Sequence, residues 1–164
     1  MYNVLDVAIY VINYAHDTGC GESMRNLKLQ KILYYVQAAS LVEIGDKCFS
    51  DPIIAWQYGP VITSVYYRYN LYGGDPIPKQ ETFKKISFDK DKMTIKLTDS
   101  EGITPNFKSI IYKVIEAYKN VHNPFYLVRK THSEQPWADT SINKEIDVEK
   151  IRTYYSKNPD KIYK

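Results

Sequence analysis

The stretch from Asn26 to Gly45 carries no proline and no internal glycine, and its apolar residues recur at three- and four-residue spacing. Leu29, Ile32, Leu33, Val36, Ala39 and Ser40 make one stripe, and Tyr35 and Val42 widen it until little of the circumference is left for water. The spacing predicts one long central helix packed on more than one side. Asn26 is the expected N-cap, and Gly45 the expected left-handed residue closing the last turn. The remaining polar positions fall into two lines, Lys28, Lys31 and Tyr35, and Gln30, Tyr34 and Gln37. They are expected to form an exposed face on which function would show.

A chain of 164 residues is long enough for one core and is expected to form a single domain over residues 1–164. No apolar run approaches the ~18 residues that cross a bilayer. The N-terminus lacks a basic leader, so a soluble, cytoplasmic protein with no membrane association is expected. Cys20 and Cys48 form no CxxC pair and are read as reduced thiols. The net charge of +3 permits a nucleic-acid binder without implying one. The 16 tyrosines fit an interaction surface, and equally an AT-rich coding sequence in which Lys, Asn and Ile are also frequent.

Around the central helix the punctuation is clear. Residues 3–17 read as an amphipathic helix capped by Asn3. Pro52–Gln57 reads as an extended segment, and Gly59-Pro60 as the start of a third helix, with Pro60 at its first position and Gly73-Gly74 at its end. Ile86–Phe88 and Met93–Leu97 alternate around Asp89–Lys92, the pattern of a β-hairpin with one buried face. Thr104-Pro105 opens a fourth helix, and Asn123-Pro124 a fifth ending near Thr131. Asp147 caps a last helix over about 147–157, with Ile146 and Ile151 as its staple. The expected fold is α+β and mostly helical, with about five to six helices and one small hairpin.

Catalytic and metal chemistry find little support. His16 and Cys20 lie four apart with no second pair to complete a zinc site, and no phosphate-binding glycine loop is present, so no metal and no cofactor are expected. His132, Ser133 and Asp139 lack a nucleophile elbow and fit a helix end better than a triad. The hairpin lysines, Lys79, Lys84, Lys85, Lys90, Lys92 and Lys96, are interspersed with Glu81, Asp89 and Asp91. That mixture reads as a solvated face and weighs against nucleic acid.

Three stretches carry a resemblance: Leu27-Lys28-Leu29-Gln30-Lys31-Ile32-Leu33-Tyr34-Tyr35, then Ala55-Trp56-Gln57-Tyr58-Gly59-Pro60-Val61, then Thr131-His132-Ser133-Glu134 with Pro136-Trp137. Together, across about residues 4–140, they resemble the Panacea antitoxin-domain family of SocA-like, phage-associated proteins. The resemblance implies a non-enzymatic protein of a bacterial or prophage toxin–antitoxin system. Such a protein neutralises a cognate toxin by direct binding, or in one branch hands it to a cellular protease. Signature residues expected at the partner surface are Lys28, Gln30, Lys31, Tyr34, Tyr35, Trp56, Tyr58, His132 and Trp137, whereas Leu29, Gly59 and Pro60 are expected to hold the fold. The competing reading from another class is a nucleic-acid-associated phage regulatory protein.

Overall fold

The computed structural model describes residues 1–81, 84–89, 93–99 and 102–164, with strands 84–89 and 94–99 described as backbone. Among the described residues the order is α1 (Val4–Asp17), α2 (Asn26–Glu43), β1 (Ile54–Trp56), β2 (Gly59–Val61), α3 (Thr63–Tyr69), β3 (Lys84–Asp89), β4 (Thr94–Asp99), α4 (Pro105–Tyr118), α5 (Phe125–His132), α6 (Gln135–Ala138) and α7 (Val148–Lys157). Short 3-10 turns follow α1, α3 and α7. This is a mostly helical α+β architecture built around α2, which packs against α1, α3, α4, α5, α7 and β2. The continuous apolar core draws on residues from Val4 to Ile162.

Gly45 closes α2 as its sequence requires: φ is +83°, and its N–H reaches the Ser40 carbonyl at 3.1 Å. The other end differs from expectation. Arg25, not Asn26, takes the extended cap conformation, and Asn26 is the first helical residue. Asn26 is drawn inward because its Nδ2 donates to the Tyr66 carbonyl at 3.0 Å and its Oδ1 accepts from Gln30 Nε2 at 3.0 Å. A tertiary contact thereby outweighs the cap.

The Gly59-Pro60 reading also requires correction, because Pro60 lies in β2 and α3 begins three residues later. β1 and β2 pair antiparallel through Ile54↔Val61, Ala55↔Pro60 and Trp56↔Gly59, leaving Gln57 and Tyr58 as the turn. In such a ladder, hydrogen-bonded and non-hydrogen-bonded pairs alternate. Ala55 directs its main chain away from Pro60: its N–H donates to the Lys144 carbonyl at 2.9 Å, and its carbonyl accepts from the Asn143 N–H at 2.7 Å. The proline's missing donor therefore costs the pair nothing.

The hairpin of β3 and β4 is in register from Lys84↔Asp99 to Asp89↔Thr94. Residues 90–92 of its expected turn, and the side chains on which its expected buried face rests, lie outside the described residues. α1, α4, α5 and α7 start where proline and cap signals put them. Asn3 Oδ1 accepts from Leu5 N at 2.8 Å, and Asp147 Oδ1 accepts from Glu149 N at 2.8 Å. The staple residues Ile146 and Ile151 are both fully buried. Replacing Asp147 with Ala should remove about 1 kcal/mol. The thermal midpoint should drop by about 2–4 °C for a chain of this size, and an unchanged midpoint would deny the cap its role.

Candidate partner-binding site

The polar lines of α2 do not face water. Lys28, Gln30, Lys31, Tyr34, Tyr35 and Gln37 are each at most 1% exposed, which corrects the expectation of an open face along this helix. The reason lies in what surrounds α2. Helices and the β1–β2 hairpin close over every side of it; the lysine and glutamine heads then bond to the main chain of neighbouring segments, and the two tyrosine hydroxyls meet side chains.

Lys28 Nζ donates to Ser23 Oγ and to the Val121 carbonyl, both at 2.8 Å. Gln30 Oε1 accepts the Ile62 N–H at 2.9 Å and so fixes the entry into α3. Gln37 holds the loop after α2, donating to the Phe49 carbonyl at 3.0 Å and accepting the Cys48 N–H at 2.9 Å. Amides and ammonium groups placed this way satisfy main chain that strands and helices leave unpaired. They serve as the fastenings of the fold.

Tyr35 belongs to a buried cluster around Glu134, itself 2% exposed. Glu134 Oε2 accepts from Tyr35 OH at 2.9 Å and from Tyr155 OH at 2.6 Å, while Oε1 accepts from Lys130 Nζ at 2.7 Å. Lys130 Nζ also lies 4.4 Å from the centre of the Tyr35 ring. Tyr34 sits beside them, its hydroxyl 3.4 Å from that of Tyr155. Burial first, and the Glu134 charge among the lesser causes, push the Tyr35 and Tyr155 hydroxyls well above the ordinary phenol range. They therefore stay protonated and serve as donors to the carboxylate.

Lys31 fastens α2 to β2. Its Nζ donates to the Pro60 carbonyl at 3.0 Å, and burial brings its pKa down to about 7. Close by stands the third signature stretch. A Cβ built on Gly59 would lie 2.7 Å from Thr131 Oγ1 and 2.8 Å from Lys31 Cε, so α2, β2 and α5 meet at that glycine. His132 stacks flat on Trp137 at 3.8 Å, and Trp137 Nε1 donates to the Trp56 carbonyl at 3.1 Å. His132 Nε2 is buried without a hydrogen-bond partner among the described residues, and burial followed by the Lys31 charge lowers the imidazole pKa. Ser133 Oγ donates to the Lys130 carbonyl at 2.7 Å, which makes it a helix-end group. The three stretches thus form one joint clamping the β1–β2 hairpin to the helices.

What the joint presents to solvent is aromatic. Tyr58, at the hairpin turn, is 54% exposed and meets Phe125, 49% exposed, edge to face at 6.2 Å. Half-buried Trp56 packs edge to face on Tyr66 at 4.9 Å, and Tyr66 in turn packs on Tyr67, which is 68% exposed. Sequence reasoning found Trp56 and Tyr58 but missed Tyr67 and Phe125, whose exposure depends on how α3 and α5 are rolled. It also missed Tyr155 as a partner of Glu134, a contact across 21 residues with no local signature.

The family model described as "Antitoxin SocA-like, Panacea domain" matches residues 29–138. No curated protein and no solved structure matches the chain. The match covers α2 from Leu29 onward, the β1–β2 hairpin, α5 and α6, and it takes in about two-thirds of the sequence. The chain accordingly belongs to the SocA-like antitoxin, Panacea-domain family.

Proposed function

We propose that this chain is an antitoxin that acts as one cytoplasmic domain, residues 1–164, and neutralises a cognate toxin by direct binding through the aromatic face at Trp56, Tyr58, Tyr67 and Phe125. The observation that carries this reading is the pairing of exposed Tyr58 with exposed Phe125 beside the Trp56–Tyr66–Tyr67 group. Large aromatic side chains are costly to leave in water. Held on the hairpin, α3 and α5, they carry few rotatable bonds and lose little entropy on contact, which is the profile of interface hot spots. The buried α2 residues support binding indirectly, by fixing the hairpin from beneath.

Co-expression with the toxin encoded beside this chain, scored by growth, tests the reading. Tyr58→Ala and Tyr67→Ala should stay within about 1 kcal/mol of the parent in stability, because both side chains are largely in solvent. Each should lose about 2 kcal/mol of binding, roughly 30-fold in Kd. Full rescue by both folded variants would move the interface off this face. Toxin abundance in the same cells separates sequestration, which leaves it unchanged, from delivery to a protease, which lowers it.

A further inference from the structure

Beside the aromatic pairs, a cleft of about 580 Å³ opens between the hairpin turn, α3 and residues 142–143. The buried carboxamides of Asn26 and Gln30 are bound to the Tyr66 carbonyl, to each other and to the Ile62 N–H, so they form a fixed base. Trp56, Tyr66 and Ile142 supply apolar lining, and the exposed carboxamides of Gln57, Asn70 and Asn143 ring it. Asn143 holds a left-handed φ of 65° while its N–H is tied to the Ala55 carbonyl. Not one described lining residue is Asp, Glu, Lys, Arg or His, although 25% of the chain is charged.

We infer that this cleft receives an uncharged, apolar segment of the toxin, one bulky side chain lying against Trp56, Tyr66 and Ile142 with its flanking peptide groups read by the surrounding carboxamides. The inference rests on the antitoxin reading above and adds the chemistry of what is bound. A carboxamide donates and accepts as a peptide group does, so such a ring matches main chain of any sequence. A charged side chain seated there would leave water and find no counter-charge, which selects against it.

The probes are capped tripeptides, acetyl-Gly-X-Gly-amide with X as Trp, Leu, Lys or Glu, titrated into the isotope-labelled full chain and followed by NMR. The Trp and Leu peptides should shift the side-chain amide signals of Asn70 and Asn143 with at least tenfold lower Kd than the Lys and Glu peptides. Asn70→Asp should reduce the preference over the Lys peptide at least tenfold, leave the Glu peptide rejected, and preserve the melting curve. Equal binding of charged and neutral peptides, or no shift from the neutral ones at 10 mM, overturns the inference. It also falls if adenosine shifts these signals where neutral peptides do not, or if they move with protein concentration alone, which would assign the cleft to a nucleobase or to a second copy. In the growth assay Ile142→Asp should abolish rescue. Rescue by folded Ile142→Asp, with Tyr58→Ala still defective, removes the toxin segment from the cleft while leaving the antitoxin reading standing.

Discussion

Gly59→Ala should lower stability by about 2–5 kcal/mol, measured by denaturant unfolding. Two independent costs add. At φ +96° a side chain sits in backbone space that L residues rarely occupy, which costs roughly 1–2 kcal/mol. The new methyl would also stand 2.7 Å from Thr131 Oγ1 and 2.8 Å from Lys31 Cε. Neither neighbour can swing aside, because Thr131 and Lys31 are fully buried and each is hydrogen-bonded. Overpacking of that kind costs about 1–3 kcal/mol. A variant as stable as the parent would mean that the hairpin is not clamped at this point. Gly45→Ala is the natural comparison, since its φ is +83° but nothing lies within 4 Å of the added carbon.

Lys31 should give the protein an alkaline rise in stability that Lys31→Met lacks. The folded pKa, lowered by burial from 10.5 to about 7, means that folding expels a proton between those values. Because the unfolded chain holds the extra proton, stability increases with pH across that window and is flat below about pH 7. The gain is on the order of 2 kcal/mol between pH 7 and 9, and 4–5 kcal/mol over the whole interval. Cys48, raised by burial to about 12, and the buried tyrosines act in the opposite sense at higher pH. Both proteins carry them, so the difference between parent and variant isolates Lys31. Parallel stability curves from pH 7 to 9 would show that Nζ keeps its proton in the fold. At pH 7 the Met variant should be at least as stable as the parent, since an apolar side chain of similar length removes an unpaired buried charge.

Helix boundaries were the most legible part of the sequence because they depend on local rules. Proline at Pro105 and Pro124, the caps Asn3 and Asp147, and the glycine after α2 act within a turn of where they sit. Pro60 lies in a strand and not at a helix start because one local rule fits two outcomes. Gly-Pro starts helices, yet it also suits a strand position whose donor points nowhere, and only residues 143–144 decide which. The polar face of α2 is buried, against its sequence pattern, for a related reason. Periodicity assigns residues to a line but says nothing about what covers that line, and lysine and glutamine count as surface residues until a main-chain acceptor is found for them. The candidate site was half legible. Trp56 and Tyr58 stand in a dense aromatic and turn signal, whereas Tyr67 and Phe125 become neighbours of that signal only once α3 and α5 are packed.

The contacts of α7 and of the residue pair before it tie the chain beyond the family match into the same core. The matched region stops at residue 138. Tyr155 nevertheless supplies one of the two phenols bound to Glu134, Arg152 Nη1 reaches the Leu41 and Gly45 carbonyls at the end of α2, and the Ile146 N–H is bound to the Ile53 carbonyl. An expression fragment trimmed to the matched region would carry a buried carboxylate short of one donor, a frayed central helix and an uncovered hairpin edge. The packing around α2 and α4 therefore continues through Ile162, whose carbonyl accepts the Tyr118 hydroxyl at 2.8 Å.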